Sequence, residues 1–585
     1  MRCLLQIRTT PHVRSKNIIA IDIAEELINS AQLYYELLDA KGRGIERIPI
    51  TDKARTPSGI TLKTSLRSWS GNLLLLSQEK EWEIGSEAIE VGSYDEKRGI
   101  IKLLCDDELA TLFMQDSSLE LLSDMKFLVR NVERFYSEYG DDLELPNAIP
   151  EAIPAPSPRL STEQQKALEM IFSTPLSYTW GAPGTGKTKG VLFESLLFTI
   201  TRGVRAFLLA PTNSALEQAL RALMPKFDEL GFERTLVFRM GEPSASFLTQ
   251  YPEVCDPFIL NKTQNATPTL FSQGKEERER KFEESLVLAM TVDGFIKRFD
   301  SLPKGGAKHI FLDEAAFVPL IKALALCALH APISMLGDHK QLPPVCEASE
   351  IDLEGEPLLN AWQYSALHLR DYFHEGAGIF SSNTPTFPQE LTIPQSNLSY
   401  SHRYGENLTK ILDKYIYKIG LRGLSEPTEL YYVDSGLFMG EKKGAQANLS
   451  EADALAKVAQ ELARAQEDFG IITPFVKQRR AILERLPMLR DKDCVLTIHR
   501  SQGREFHTVL FSPVMLHYHL TNSLNLSALH ALNVAISRAK KRVIIVCDYH
   551  FWMKQKGQFL SAILAQSSPL ELGIIENIDT LSKKR

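Results

Sequence analysis

Short apolar runs recur along most of this chain, and segments with helical periodicity lie between them. The first series covers 177–181, 205–211, 286–291, 309–315 and 333–338. The second series covers 469–474, 494–499, 508–514 and 542–548. Because apolar strands that alternate with helices form parallel sheets covered on both faces, the sequence predicts an α/β protein with two tandem parallel-sheet domains.

The segments outside these two series have different patterns. Strand-like runs at 72–77, 82–91 and 98–104 are typical of a small β-rich, barrel-like module. Apolar positions at helical spacing predict a helix over 119–139, and the proline-rich stretch that follows reads as a linker. We therefore divide the chain into a β-rich accessory module (1–118), a stalk helix and linker (119–159), a first α/β domain (160–370) with a helical insertion (242–285), a linker (371–397), a second α/β domain (398–566) and a C-terminal tail (567–585).

The composition is that of an ordinary globular protein. The 585 residues are 44% hydrophobic and 24% charged, with a net charge of −7, so a surface coated in lysine and arginine is excluded, although a local basic groove is not. The seven cysteines are scattered without a CxxC pair, which favours a reducing compartment. Because the apolar stretch 318–337 is broken by Lys322 and Pro332, we expect a protein of the cytoplasm, or of the nucleus in a eukaryote, without a membrane span.

The segment GAPGTGKT, residues 181–188, matches the phosphate-binding pattern GxxxxGK[ST] in full. It follows a predicted strand and opens a predicted helix, as the pattern requires. Gly181, Gly184, Thr185 and Gly186 would let backbone N–H groups surround a phosphate, while Lys187 would reach the β- and γ-phosphates. The hydroxyl of Thr188 would bind Mg²⁺.

An acidic pair follows the strand in FLDEAA, residues 311–316. Side chains at this point emerge at the carboxyl edge of a parallel sheet. Asp313 would hold Mg²⁺, and Glu314 would orient the attacking water. Together with the phosphate loop, the pair predicts nucleoside-triphosphate hydrolysis, in which positioning and charge stabilisation dominate.

The string MLGDHKQLPP, residues 335–344, resembles motif III of the superfamily 1 helicases. With GAPGTGKT and DEAA it is similar to the group of DNA and RNA helicases that includes the nonsense-mediated-decay helicase, called superfamily 1B. The resemblance extends over 160–548 and implies that the two domains are RecA-like and that ATP is hydrolysed between them. It also implies that Gln341 senses the γ-phosphate.

Other segments resemble nucleotide-binding motifs of this family in the expected order. LSTEQQKA (160–167) is similar to the Q motif, which implies that Gln164 reads the adenine edge, although Ser161 departs from the usual asparagine. LSYSHRYGENLTKIL (398–412) is similar to motif IV, where the usual QYR reads SHR, and the resemblance implies roles at the nucleotide for His402 and Arg403. LTIHRSQGREF (496–506) resembles motif V and implies a role for Glu505. LNVAISRAKKRVIIV (532–546) resembles motif VI, which implies that Arg538 is the arginine finger.

A further set of segments resembles motifs that bind nucleic acid. APTNSA (210–215), VFRMG (237–241) and AMTVDG (289–294) resemble motifs Ia, Ib and Ic, and IITPFVKQ (471–478) resembles the ITPY segment of the second domain. Hydroxyls, amides and backbone N–H groups bind phosphates without reading bases. The expected contacts are Pro211, Thr212, Asn213, Thr291, Thr473, Pro474 and Thr497.

The resemblance implies a monomeric motor that moves 5′ to 3′ on single-stranded nucleic acid, with the N-terminal barrel contacting the strand. We favour DNA over RNA because no RNA-specific module is appended. One departure is Phe317, where many relatives carry glutamine after the acidic pair. It weakens the expected polar link between the ATP site and motif III.

Three alternative functions stay open on the sequence. The chain could be an ATPase switch that remodels nucleic-acid complexes without processive unwinding, a degenerate P-loop scaffold, or a small-molecule kinase or GTPase. The intact lysine, acidic pair and arginines argue against the scaffold, and motifs V and VI argue against the kinase or GTPase. His507, His517 and His519 could suggest a metal site, but histidines without an acidic or cysteine partner are more often solvated or packed.

Overall fold

A computed structural model provides the fold of the protein. It describes residues 22–64, 72–78, 80–84, 88–95, 98–150, 152–257, 277–302, 307–381, 391–436, 446–490, 492, 494–515 and 526–570. No helix within these ranges is long and apolar enough to cross a lipid bilayer. His517, His519 and the part of the predicted tail after residue 570 lie outside the described residues.

Two antiparallel four-stranded sheets make up most of the N-terminal part, in agreement with its predicted β-rich character. The strands are β1 Ile45–Ile48, β2 Ile50–Thr56, β3 Gly59–Thr64, β4 Asn72–Ser77, β5 Lys80–Glu83, β6 Glu90–Asp95, β7 Ile100–Leu104 and β8 Glu120–Asp124. The strand orders are β1-β8-β4-β5 and β2-β3-β7-β6. Inward-facing residues of both sheets share one core, which the helix Asp107–Gln115 also covers.

Some predictions for this part are wrong. A helix at Ile23–Ala40 precedes the strands, and residues 120–124, predicted as the start of the stalk helix, form β8 instead. The apolar Leu121 and Leu122 fit either periodicity. The segment forms a strand because β8 hydrogen-bonds to β1 on one side and to β4 on the other. Both partner strands lie far from β8 in the sequence. The run predicted at 82–91 is divided between β5 and β6.

A pair of helices connects these sheets to the rest of the molecule. We number the helices α1 Ile23–Ala40, α2 Asp107–Gln115 and α3 Phe127–Tyr139. Gln32 of α1 donates to Glu133 of α3 at 2.8 Å, and Tyr34 of α1 stacks on Trp362 with ring centroids 4.3 Å apart. Because Trp362 belongs to the segment after the fifth strand of the first predicted series, the helix pair is fixed against the first α/β part.

A seven-stranded parallel sheet forms the first α/β part, with the strand order β11-β12-β10-β13-β14-β9-β15. Its strands are β9 Leu176–Gly181, β10 Ala206–Ala210, β11 Val237–Arg239, β12 Val287–Thr291, β13 His309–Leu312, β14 Ile333–Gly337 and β15 Gln395–Leu398. Its helices are α4 Thr162–Ser173, α5 Phe193–Thr201, α6 Asn213–Glu229, α7 Ala245–Gln250, α8 Val292–Arg298, α9 Leu320–Leu324, α10 Glu350–Gly355 and α11 Leu369–Glu375. Another helix covers 277–284 within the predicted insertion, whose residues 258–276 lie outside the described part.

Alternate residues of the buried strands enter different cores. Phe207 and Leu209 of β10 belong to one hydrophobic cluster, whereas Leu208 and Ala210 belong to another. A sheet covered on both faces has this property, which confirms the predicted α/β class. Strand β15 corrects one prediction, because its first three residues fall in the segment 371–397, which was expected to be a linker, and the strand pairs with β9.

A six-stranded parallel sheet forms the second α/β part, in the order β20-β19-β21-β22-β18-β23, beside a parallel pair of β16 and β17. The strands are β16 Tyr400–Gly405, β17 Arg422–Ser425, β18 Glu429–Asp434, β19 Phe469–Thr473, β20 Val495–Thr497, β21 Phe506–Phe511, β22 Ala539–Cys547 and β23 Ser568–Pro569. The helices are α12 Glu406–Leu412, α13 Leu449–Arg464, α14 Val476–Arg485, α15 Leu526–Ser537, α16 Tyr549–Lys554 and α17 Phe559–Leu564. Ile544 and Ile545 of β22 again enter different clusters.

A single residue joins the last strand of the first sheet to β16. This residue, Ser399, donates its N–H to one carboxylate oxygen of Glu163 at 2.7 Å and its hydroxyl to the other at 2.6 Å. Glu163 lies in the first turn of α4. The junction between the two α/β parts is therefore short and held to the helix that precedes the phosphate loop.

Candidate active site

The phosphate loop connects β9 to the helix that begins at Lys187. Gly184 and Gly186 have left-handed backbone conformations, with φ of +82° and +87°. A Cβ atom at Gly184 would lie 2.4 Å from the Cβ of Arg403, so glycine is required by the close approach as well as by the conformation. The Lys187 ammonium donates to the carbonyl of Gly181 at 2.6 Å, which places its positive charge over the loop.

Thr188 and Asp313 bring two hard oxygen ligands together. The Thr188 hydroxyl donates to a carboxylate oxygen of Asp313 at 3.2 Å. Burial, and then the neighbouring Glu314, raise the pKa of the Asp313 carboxyl above its ordinary value. A divalent cation would favour the ionised form, so this oxygen pair fits Mg²⁺.

Glu314 has a left-handed backbone, with φ of +54°. This conformation is uncommon for residues other than glycine and is concentrated at functional sites. Two hydrogen bonds hold the turn, one from the Glu314 N–H to the Asp313 carboxylate at 3.1 Å and one from the Phe317 N–H to the Glu314 carbonyl at 2.9 Å. The sequence predicted the acidic pair but not the strained turn.

Gln164 is directed to the phosphate loop. Its Nε2 donates to the Thr185 carbonyl at 3.0 Å, and its Oε1 accepts the Ser161 N–H at 3.0 Å. The Ser161 hydroxyl in turn caps α4, which completes a capping box. Serine and asparagine are equivalent N-caps, and this explains why Ser161 can stand where relatives carry asparagine.

Strand β16 lies directly against the phosphate loop. The Ser401 hydroxyl donates to the Pro183 carbonyl at 3.0 Å, and the N–H of the exposed His402 donates to the Gly184 carbonyl at 2.9 Å. Arg403 pairs with Glu505 and donates to the Ser537 carbonyl at 3.0 Å. Although burial acts in the opposite direction, the Arg403 charge and then Lys540 hold the pKa of Glu505 below its ordinary value.

Arg538 contacts the first α/β part through Gln341. Its guanidinium donates to Gln341 Oε1 at 3.0 Å and to the Ser537 hydroxyl at 3.0 Å. Burial, and then the charge of Arg403, lower the pKa of Arg538. Two arginines of the second part thus lie at the same face as the residue predicted to sense the γ-phosphate.

A buried hydroxyl network beside this contact was not predicted. The Asp338 carboxylate accepts hydrogen bonds from Trp180 Nε1 at 3.0 Å, from Gln341 Nε2 at 3.2 Å and from the Tyr417 hydroxyl at 2.7 Å. Asn533 Nδ2 donates to Tyr417 at 2.8 Å and to the Lys340 carbonyl at 2.8 Å. Tyr417 therefore connects motif III to the helix of motif VI. Asp338 stands in a motif that the sequence singled out, but nothing local to KYIYKIG marks Tyr417.

We expect Tyr417→Phe to lower the turnover number for ATP by about 10-fold, because it breaks the link between motif III and the motif VI helix. A hydrogen bond to a charged group contributes about 1.5–3 kcal/mol to stability, and we expect at least the lower part of this energy to be lost from the transition state. The Michaelis constant for ATP should change little, since the hydroxyl lies outside the phosphate loop. Steady-state kinetics with and without single-stranded nucleic acid measure both constants. Tyr415→Phe, in the same helical segment, is the matched control, and equal effects of the two changes would refute a role for the network.

The residues predicted to grip nucleic acid in the first α/β part cluster at one edge of the sheet. Ala210 and Thr291 are partners at the ends of β10 and β12. Thr212 caps α6 and Thr291 caps α8. The Asn213 side chain accepts a hydrogen bond from the buried Arg239 of motif Ib at 2.9 Å. Two helix N-termini therefore lie side by side at this edge, next to the half-buried Pro211.

The corresponding residues of the second part differ in accessibility. Thr473 and Thr497 are partners at the ends of β19 and β20. Thr473 is fully buried, whereas Pro474 and Thr497 are half-buried. Only the latter two can touch a strand without a local rearrangement. Among the described residues no group of three or more His, Cys, Asp or Glu side chains could hold a metal ion.

A buried polar network lies at the carboxyl end of β21. Glu451 accepts hydrogen bonds from the Ser512 hydroxyl at 2.6 Å and from the Val514 N–H at 2.9 Å. Gln478, from the segment that resembles ITPY-x-x-Q, donates to Ser512 at 3.0 Å. Burial raises the pKa of Glu451 to about 8, so the folded protein holds this carboxyl protonated at neutral pH.

This raised pKa predicts a pH-dependent stability. The contribution of protonated Glu451 is complete below the unfolded-state pKa of 4.5 and is lost as the pH rises through about 8. Relative to Glu451→Gln, the native protein should lose on the order of 3 kcal/mol of unfolding free energy between pH 5 and pH 8.5. Denaturant unfolding at the two pH values measures this, with the exposed Glu484→Gln as control. A constant difference between the native protein and Glu451→Gln would contradict the prediction.

Sequence comparison gives one matching family and several helicases as relatives. The family described as "AAA domain" matches residues 424–550. The DNA replication ATP-dependent helicase/nuclease JHS1 of Arabidopsis thaliana is 24% identical over 66% of this chain and 28% of its own length. The ATP-dependent helicase upf1 of Schizosaccharomyces pombe is 25% identical over 72% of this chain and 48% of its own length.

The chain spans less than half of the length of either relative. A solved structure of arterivirus nonstructural protein 10, a helicase, aligns with 87% of this chain and 80% of its own, at 13% identity and a TM-score of 0.38. The sequence relatives include both helicase/nucleases of DNA replication and regulators of nonsense transcripts. The chain is thus similar to P-loop helicases of superfamily 1, among them the regulators of nonsense transcripts.

Proposed function

We propose that this protein hydrolyses ATP between its two α/β parts and uses the cycle to move along single-stranded nucleic acid. The observation that carries the proposal is the contact of Arg538 with Gln341 at 3.0 Å. It joins the motif VI helix to motif III, next to the phosphate loop. An arginine supplied from a second domain is suited to stabilise charge on a γ-phosphate.

Each residue has a distinct proposed role. Lys187 binds the β- and γ-phosphates, Glu314 orients the attacking water, and Gln341 senses the γ-phosphate. Arg403 and Arg538 stabilise negative charge that develops in the transition state. Thr188 and Asp313 would hold Mg²⁺, which neutralises phosphate charge when bound. Gln164, His402 and Glu505 complete the nucleotide site, and an adenine contact by Gln164 would add to its bonds with the loop.

The proposed track crosses the carboxyl edges of both sheets. Thr212 and Thr291, at helix N-termini, are suited to bind phosphates of the strand. Pro474 and Thr497 would contact it on the second part. We retain the division into an accessory module, a stalk and two RecA-like domains, with β15 assigned to the first of them. Movement from 5′ to 3′, a preference for DNA and action as a monomer are parts of the proposal.

The decisive experiment measures ATP turnover with and without single-stranded DNA or RNA at several salt concentrations. We expect nucleic acid to stimulate turnover, and the stimulation to weaken as salt rises because phosphate contacts release counterions. Lys187→Ala should abolish turnover under all conditions. Normal turnover by Lys187→Ala would refute the assigned site, and turnover insensitive to both nucleic acids would favour a small-molecule kinase or GTPase.

A second assay separates movement from remodelling. Displacement of a labelled strand from a partial duplex indicates unwinding. An ATPase switch, the alternative function, would be stimulated by nucleic acid without displacing the strand. Partial duplexes with either a 5′ or a 3′ overhang also test the proposed direction.

A further inference from the structure

An open cavity of about 130 Å³ lies at the carboxyl edge of the first sheet. Pro211 and Val292, which line it, directly follow the paired strands β10 and β12. Phe317, from the turn after β13, and Val345, from the loop after β14, also line it. Since sites for drug-sized ligands occupy about 300–1,000 Å³, this cavity suits one planar ring rather than a whole nucleotide.

The walls combine apolar and charged groups. Phe317 is half-buried, and Val345 is 56% exposed although it is apolar. Asp293 and Lys322, which also line the cavity, form an ion pair at 2.7 Å. A nucleobase has apolar faces and an edge of donors and acceptors. An aromatic ring such as that of Phe317 is suited to stack on such a face, and a charged pair is suited to hydrogen-bond with such an edge.

We propose that this cavity receives one base of the bound single strand, stacked on Phe317. The proposal rests on the proposed function and deepens it by assigning a base contact. The cavity adjoins the proposed phosphate contacts, because its lining residues Pro211 and Val292 are chain neighbours of Thr212 and Thr291. These two threonines are proposed to bind phosphates of the strand. Stacking on an aromatic side chain tolerates any base, as a motor that moves along every sequence requires.

The backbone of Phe317 connects the proposed base contact to Glu314. Its N–H donates to the carbonyl of Glu314 at 2.9 Å, within the left-handed turn. A base stacked on this ring would therefore contact the residue that closes the turn of Glu314, the residue proposed to orient water. We expect Phe317 to act also as a positioning residue, so that an intact strand stimulates ATP turnover more than a strand that lacks the base.

Photocrosslinking of the full chain tests the contact directly. A short oligothymidylate carries one 5-iodouracil, placed at each position in turn, and crosslinked peptides are identified by mass spectrometry. We expect one position to give a crosslink to the peptide that contains Phe317. Efficient crosslinks confined to peptides that do not line the cavity would overturn the proposal.

Binding to strands with one abasic residue gives the quantitative test. At the position identified by crosslinking, removal of the base should weaken binding to the native protein by about 10-fold and reduce the stimulation of ATP turnover. Phe317→Ala should bind the intact and abasic strands equally. The ratio of the affinity for the intact strand to the affinity for the abasic strand should also fall in Val345→Ala, which alters the exposed wall of the cavity. This variant replaces Phe317→Ala in the test if Phe317→Ala does not fold. Ile351→Ala, which removes an 80% exposed side chain outside the cavity, should keep the native ratio.

The outcomes separate the two proposals. If the native protein binds intact and abasic strands equally while nucleic acid still stimulates ATP turnover, the base site is wrong and the proposed function stands. If the native protein binds neither strand, the proposed function fails as well. A native ratio in Phe317→Ala would also overturn the base site.

Discussion

Replacing Glu314 by glutamine should lower the rate of ATP cleavage by at least about 100-fold while ATP still binds. General-base and water-positioning groups typically contribute 10²–10⁴-fold in rate, and the amide cannot polarise water as a carboxylate does. The exchange keeps the shape of the side chain, so the left-handed turn should persist. Single-turnover kinetics measure cleavage, and titration with a fluorescent ATP analogue measures binding.

The control for this prediction is Glu350→Gln, which removes an exposed carboxylate in the first turn of α10. It should cleave ATP at the native rate. A native cleavage rate in Glu314→Gln would show that another group orients the water. Loss of ATP binding together with cleavage would show instead that the turn has collapsed.

Arg538→Ala should reduce ATP turnover by about 1,000-fold, the lower part of the range for arginine fingers. Arg538→Lys should recover little of the activity, because a single ammonium cannot donate to Gln341 and to a phosphate in the planar geometry of a guanidinium. ATP binding should change much less than turnover, since the proposed charge stabilisation grows in the transition state. Steady-state kinetics and ATP titration measure the two effects.

Arg538 is buried, so truncation of its side chain also leaves Oε1 of the Gln341 side chain without this hydrogen-bond donor. Thermal unfolding of each variant shows whether lost activity reflects lost structure. Arg422→Ala, at an exposed position of β17, is the control and should keep native turnover. Arg538→Ala with native turnover and native stability would refute an arginine finger at this position.

Residues close together in sequence account for what could be predicted of the site. The phosphate loop and the acidic pair each combine an apolar strand with a short polar segment, so their chemistry is visible in a few residues. Tyr417 and Asn533 are far apart in the chain and meet only in the folded protein. Their hydroxyl and amide carry no local signal that separates them from surface groups.

The parts of the fold that were predicted wrongly have a related cause. Strand β15 has the sequence QSNL, and three of its four residues are exposed or half-buried. It therefore lacks the buried apolar run that identifies β9 and β10 in the sequence. Only its pairing with β9 makes it a strand. Similarly, β8 has a pattern compatible with a helix, and distant partners decide its conformation. Long apolar strands are determined by their own residues, whereas short strands with an ambiguous pattern are determined by their neighbours.

The one-residue junction at Ser399 limits how the two halves can move. One residue spans at most about 3.6 Å, so the halves cannot separate there, and any rotation of one half against the other would have its pivot near Ser399. In the first sheet, β12 lies five strand spacings from β15, a lever arm of about 24 Å. A rotation of about 8° would displace its end by about 3.4 Å, the axial spacing of successive nucleotides in each strand of duplex DNA. In a motor of the proposed kind, a small rotation at this junction would therefore be enough for a step of one nucleotide.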